Sequence, residues 1–183
     1  MVTRIAYQGA PGAFGEAAAL LLWPGAVPIG VMSFDAVVAS IQSGQAEGGV
    51  LPIDNRIVGP VEEAIAALES TDQLEVIGTV AIPVRLHLLG CGNASVASVG
   101  RIAGHPVALA QCRRFLNGLR GVVVEEWFDS AGASRVVREL ADPTFAAVAG
   151  DAAAARYDLT ILERDIHDHP DNETTFVGVR RQR

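Results

Sequence analysis

Apolar residues recur along this chain in two alternating rhythms. Short apolar runs of strand type alternate with segments that carry a helical stripe, and glycine, proline or a capping residue stands at most junctions. Arg4 to Gln8 reads as a first strand ended by glycines, and Glu16 to Trp23 as a helix. Val27 to Met32 is a short second strand. Ser33 fits the N-cap of a helix from Phe34 to Ser43, which Gly44 ends. Gly49 to Ile53 is an apolar run suited to a buried strand. Pro60 and Val61 open a helix to Leu68, with Glu62 and Glu63 in its first turn, where the helix dipole favours acids.

From Leu74 the texture changes. Leu74 to Leu89 is one long extended stretch broken by Pro83. Arg101 to Ala103, Val122 to Glu125 and Ala146 to Ala149 read as further strands, with helices over 107–119 and 131–140, and one more over 151–157. The last strand is Thr175 to Arg180. This rhythm predicts an α/β fold with mostly parallel sheet and helices on its faces. The long extended stretch suggests a crossing between two lobes: residues 1–77 with 162–183 in the first, 78–161 in the second. Ligands in such architectures sit at the carboxyl ends of strands or between lobes.

Composition narrows the chemistry. The 183 residues carry 14 basic against 21 acidic side chains, a net charge of -7, and every basic residue is arginine. Without lysine there is no Schiff base, no pyridoxal anchor and no P-loop. The acidic balance argues against nucleic acid as partner. No apolar run is long enough to span a bilayer, and the start of the chain has no signal-peptide pattern. Two cysteines, Cys91 and Cys112, form no CxxC motif and read as reduced thiols. A cytoplasmic protein is expected.

Five segments are candidates for chemistry. Gly9-Ala10-Pro11-Gly12-Ala13-Phe14-Gly15 joins the first strand to the first helix. It reads as a tight turn or as an anion-binding turn; its GxxGxxG spacing is not the dinucleotide pattern. At the end of the buried strand, Asp54, Asn55 and Arg56 precede Gly59-Pro60. There the amide of Asn55 can donate and accept, and Arg56 can pair with a carboxylate, or the polar residues merely shape a turn. His105-Pro106 and Gln111-Cys112 bracket the start of a helix, where His105 is a structural group or a proton shuttle. His167-Asp168-His169 reads as an exposed loop rather than a metal site. Thr174 and Thr175 begin the last strand, as simple β-formers or as hydroxyls aimed into a cleft.

Taken in order, these pieces resemble prephenate dehydratase. Gly9 to Gly15 matches the family's Gly-Pro-x-Gly-(Thr/Ser)-(Phe/Tyr)-Ser turn, and Pro52 to Gly59 its Pro-x-Glu-Asn-Ser-x-x-Gly segment. His105 to Cys112 matches His-Pro-Gln-Ala-Leu-x-Gln-Cys, and Asn172 to Phe176 matches Asn-x-Thr-Arg-Phe. The resemblance implies two α/β lobes like those of type II periplasmic binding proteins, with an active site in the cleft between them. It implies decarboxylation and dehydration of the dianion prephenate to phenylpyruvate in phenylalanine biosynthesis, with neither metal nor organic cofactor. Thr174 is implied as the key group near the leaving hydroxyl, and Asn55 as a second catalytic residue that helps, with the glycine turn, to hold the substrate. Gly12, Ala13, Phe14, Asp54, Arg56, Gly59, His105, Gln111, Thr175 and Phe176 are implied as substrate-binding residues. A regulatory ACT domain usually follows in the family; this chain is expected to lack it, and a homodimer is the family-based expectation.

The departures from the pattern are specific. The turn's hydroxyl positions hold Ala13 and Gly15, the Glu and Ser beside the asparagine are Asp54 and Arg56, the Gln after His-Pro is Val107, and the Arg of Thr-Arg-Phe is Thr175. A Ser-Thr pair of the family is Asp129-Ser130 here. One cation has left position 175 and another has arrived at position 56, so Arg56 is expected to take over a substrate carboxylate. Two alternatives stand beside the dehydratase reading. One is a prephenate decarboxylase that does not aromatise, and the other is a binding module of the same fold that has lost catalysis.

Overall fold

A computed structural model describes residues 3–182. In chain order the elements are β1 (Arg4–Gln8), α1 (Phe14–Leu22), β2 (Val27–Val31), α2 (Phe34–Gln42), β3 (Gly48–Asn55), β4 (Gly59–Pro60), α3 (Glu62–Glu69), β5 (Leu74–Pro83), β6 (His87–Gly90), β7 (Arg101–Gly104), α4 (Pro106–Ala110), α5 (Arg113–Gly118), β8 (Val123–Glu126), α6 (Ser130–Leu140), β9 (Phe145–Ala149), α7 (Asp151–Arg156), β10 (Thr160–Glu163) and β11 (Glu173–Arg181). None of the helices among the described residues is long and apolar enough to cross a membrane. The chain forms two compact units. The first comprises residues 1–10, 14–84 and 171–183, and the second comprises 11–13 and 85–170.

The first unit is built on a mixed sheet of order β2-β1-β3-β11-β5, with β4 paired to β3. Ser33 caps α2 as expected: its hydroxyl accepts from the Ala36 amide at 3.1 Å. The apolar stripe of α2 (Val37, Val38, Ile41) then packs on Leu51, Val177 and Val179, alongside Ala64 and Ala67 of α3. Small residues let a helix approach the other face. A Cβ at Gly178 would lie 2.9 Å from the indole of Trp23, just beyond α1. The last strand enters this sheet antiparallel to both its neighbours, β3 and β5.

The second unit has its own mixed sheet, of order β10-β6-β9-β7-β8. Its central strand β9 is buried at every residue. The Asp129 carboxylate caps α6, accepting from the Gly132 amide at 2.6 Å.

The sheets correct the parallel expectation. In each unit three adjacent strands run parallel, the next strand (β11 or β6) runs against them, and the strand beyond it (β5 or β10) runs with them again, joined by antiparallel pairing. The chain leaves the first unit later than expected, because β5 pairs with β11 along its whole length to Pro83. The Val84 amide still donates to the Asn172 carbonyl at 2.9 Å. The chain also returns later: β10 pairs with β6, and Ile166 donates to the Leu86 carbonyl at 2.9 Å.

The helix expected over 107–119 is broken at Gln111–Cys112. The Asp168 amide donates to the Gln111 carbonyl at 2.6 Å, and its carboxylate accepts from the Arg114 amide at 3.2 Å. Asp168 thus satisfies one carbonyl and one amide that the break leaves without a helical partner.

Candidate active site

The site of the first unit grows from one strand pairing. β11 runs antiparallel to β3 with Thr174 opposite Asn55 and Thr175 opposite Asp54. Directly opposed residues share a face, so Asn55 and Thr174 meet on one side of the sheet, and Asp54 and Thr175 lie on the other. The Asn55 amide nitrogen donates to the Thr174 hydroxyl at 2.8 Å. The Asn55 carbonyl oxygen accepts from the backbone of Ile57 at 3.1 Å and of Val58 at 3.0 Å. This is an Asx-type turn: the side chain does the work of a backbone carbonyl in reversing the chain. Gly59, at φ 91, closes the reversal and pairs back onto Asn55.

Asn55 is buried to 8% exposure, so its geometry is fixed. Both lone-pair directions of its oxygen and one of its two N–H groups are engaged. The Thr174 oxygen is an acceptor in this arrangement, which leaves its own O–H free to turn toward a different acceptor. A half-buried hydroxyl held this way is a preset hydrogen-bond donor at the rim of a sheet.

Arg56 is committed within the protein. Its guanidinium forms an ion pair with the Glu173 carboxylate and donates to the Asp171 carbonyl at 3.2 Å. Glu173 was not among the residues singled out from sequence; only the cross-strand register reveals it. Phe176 is a core residue at 4% exposure, and Phe14, half-buried, opens α1.

The remaining candidates lie in the second unit. Gly12 and Ala13 form its turn with Pro11, whose carbonyl accepts from the Tyr157 hydroxyl at 2.7 Å. His105 caps α4: its Nδ1 accepts from the Val107 amide at 3.3 Å, while its backbone N–H donates to the Ser130 hydroxyl at 3.1 Å. Gln111 is the C-cap of the same helix and is 8% exposed. His167 and Asp168 are half-buried and tie the return segment to Leu86 and to the start of α5, where an exposed loop was expected. His87, also missed from sequence, is 1% exposed at the start of β6. Its Nδ1 accepts from the Asp165 amide at 2.9 Å, and its Nε2 lies 3.1 Å from Asp151 at an angle outside hydrogen-bond range.

Burial pushes the Cys112 thiol up to about 12, and the nearby Asp168 carboxylate adds to the shift. Cys91 is buried as well. At pH 8 only about one Cys112 in 10⁴ is a thiolate. Neither cysteine of the folded protein should therefore react quickly with a thiol-specific chromogenic reagent, and both should react after denaturation. Rapid labelling of a native thiol would contradict this.

Comparison with known proteins places these motifs. A sequence model of the prephenate dehydratase family matches residues 5–183. Arogenate dehydratase 2 of Petunia hybrida is 34% identical over 181 residues, which cover 98% of this chain and 45% of that protein. The bifunctional chorismate mutase/prephenate dehydratase of Pseudomonas aeruginosa is 33% identical over 180 residues, covering 98% of this chain and 49% of the relative. The chain thus spans about half the length of the curated relatives it matches. Among solved structures, a quorum quenching acylase described as GqqA superposes with a TM-score of 0.86 at 34% identity, over 98% of this chain and 64% of its own. Prephenate dehydratase from Arthrobacter aurescens in complex with L-Phe gives 0.89 at 25% identity, over 99% and 61%. A nutrient binding protein from Burkholderia cenocepacia bound to methionine, at 0.53 and 13% identity, shares the fold alone. With the family model covering nearly the whole chain and the strand-end asparagine and threonine of its pattern joined by a hydrogen bond, this chain belongs to the prephenate dehydratase family.

Proposed function

We propose that this chain converts prephenate to phenylpyruvate, with Thr174 as the acid-side catalytic residue and Asn55 as its orienting partner. The observation that carries the reading is the 2.8 Å bond from Asn55 to the Thr174 oxygen. The reaction balances with one added proton. The bond from the ring to its carboxylate breaks and releases CO2. The freed electron pair enters the ring, and the hydroxyl at the opposite carbon departs. Hydroxide leaves as water only if a proton meets it. Thr174 is suited to donate toward that oxygen because its acceptor side is already filled by Asn55. Aromatisation supplies the driving force, so the protein's task is to hold the dianion and assist the departing hydroxyl.

The direct test follows purified protein with prephenate by proton NMR at neutral pH, beside a protein-free blank that measures spontaneous aromatisation. A parallel sample holds arogenate, because several relatives carry that substrate in their names. Phenylpyruvate formed well above the blank supports the proposal. Turnover of arogenate alone would move the substrate assignment, and a decarboxylated product that is not aromatic would overturn the dehydratase reading. The acylase among the structural neighbours favours no second reading through a thiol. Such chemistry needs a thiolate, and both cysteines are buried, with Cys112 at about 12.

Asn55→Asp is the sharper variant. A carboxylate keeps the acceptors for Ile57 and Val58, so the turn survives. It removes the donor to Thr174 and attracts the threonine proton to itself. Loss of the positioned bond should lower kcat by about tenfold or more, with the melting temperature little changed. An Asn55→Asp protein of full kcat would separate Asn55 from catalysis.

A further inference from the structure

We propose that Arg56 and Glu173 are a positioning pair that holds Thr174 opposite Asn55, taking the place of a pair that the family pattern puts on the neighbouring rung. The inference rests on the catalytic reading of Thr174 given above.

Three features of the ladder argue for it. First, the rung that matters lies at the very end of the ladder between β3 and β11, although β5 pairs with β11 on its other edge. The β3–β11 register shifts between Thr175 and Phe176, and β3 ends at Asn55. Only the rungs of Asn55 with Thr174 and Asp54 with Thr175 lie between that irregularity and the strand end. The last main-chain bond is from the Arg56 amide to the Glu173 carbonyl at 3.0 Å. Second, the Arg56 side chain closes the ladder just there. One guanidinium reaches both the Glu173 carboxylate and the Asp171 carbonyl, so it grips the segment that leads into Thr174 at two points. Third, successive residues of a strand leave on opposite faces. An arginine paired with Glu173 is therefore turned away from the face that carries the Thr174 hydroxyl, and away from a substrate bound there.

The register also explains the exchange of residues. The family motif places Glu at position 54 and Arg at position 175, and these two positions are directly opposed across the strands. Here they hold Asp54 and Thr175, and opposite charges meet two positions further on, at 56 and 173. The cross-link has moved from one side of the Asn55–Thr174 rung to the other.

Steady-state kinetics of Arg56→Gln, Glu173→Gln and the charge-swapped double variant R56E/E173R test the pair. The pair is half exposed, with side-chain exposures of 54% and 33%. Each single variant should therefore lose only about threefold to fivefold in kcat, with KM within twofold. The double variant should recover to within twofold of the parent. Rebuilding the other rung, as D54E/T175R in the Arg56→Gln protein, should recover kcat as well. A rise in KM of tenfold or more for Arg56→Gln, unrelieved by the swap, would overturn the proposal and make Arg56 a substrate anchor. So would unchanged kcat in all variants.

Hydrogen exchange at the Arg56 amide supplies a readout independent of turnover. It should quicken by about threefold to fivefold in each single variant and return in the swap. If the parent protein leaves prephenate untouched, the catalytic reading fails, while exchange still decides whether the pair holds the ladder. Exchange unmoved by either single variant would overturn the pair itself.

Discussion

Thr174→Ala should lower kcat for prephenate by about 10²–10⁴, the range expected when a positioned proton donor is lost. KM should change far less, because the alanine removes a group used at the departing hydroxyl rather than one that anchors a carboxylate. Two companion variants make the result interpretable. Thr174→Ser keeps the hydroxyl and should stay within about tenfold of the parent. Thr174→Val keeps the shape and removes the oxygen, so it should fall with alanine. Both deletions also strip the Asn55 amide of its acceptor. Asn55 is nearly buried, so each should lose about 1–3 kcal/mol of stability while remaining folded. Progress curves by proton NMR give the rates, and thermal melts confirm that the variants are folded. An alanine variant that turns over like the parent would remove Thr174 from the chemistry.

Much of the geometry behind that prediction was legible in the sequence, and the rest was hidden for a definite reason. Ser33 caps α2 because a capping signal is local, and β1 and β9 were readable because a buried strand needs a continuous apolar run. What escaped were features fixed by partners far along the chain. The break between α4 and α5 depends on Asp168, and without it the stretch reads as one helix. Likewise, β10 has modest apolar character and becomes a strand because β6 offers it an edge. The direction of β11 is not encoded in its own residues at all; it follows from the return of the chain into the first sheet. The same limit applies at the site. Asn55 and Thr174 were singled out separately, but their pairing across 119 residues is a property of register. Glu173 drew no notice because its meaning depends on standing across from Arg56.

Gly12→Ala should destabilise the protein more than any of the substitutions at the Asn55–Thr174 rung. Gly12 is held at φ 95, where an L side chain is strained, and its added Cβ would lie 2.9 Å from the Ala153 Cα. The strain costs about 1–2 kcal/mol and an overpacked contact about 1–3 kcal/mol more. The clash is with main chain in α7, which cannot swing aside as a flexible side chain would. The Pro11 carbonyl next to it accepts from Tyr157 at 2.7 Å, so both sides of the turn are fixed to the same helix and its end. A loss of about 3 kcal/mol in a chain of this length lowers the melting temperature by about 6–12 °C. The measurement also separates two explanations for the glycine. If the glycine is there to let main chain approach α7, the melting temperature falls and the surviving folded protein binds substrate with nearly the parent KM. If it also cradles an anion on its backbone N–H groups, KM rises along with the fall in melting temperature. The 2.9 Å contact favours the first outcome, with close packing as the reason position 12 is glycine.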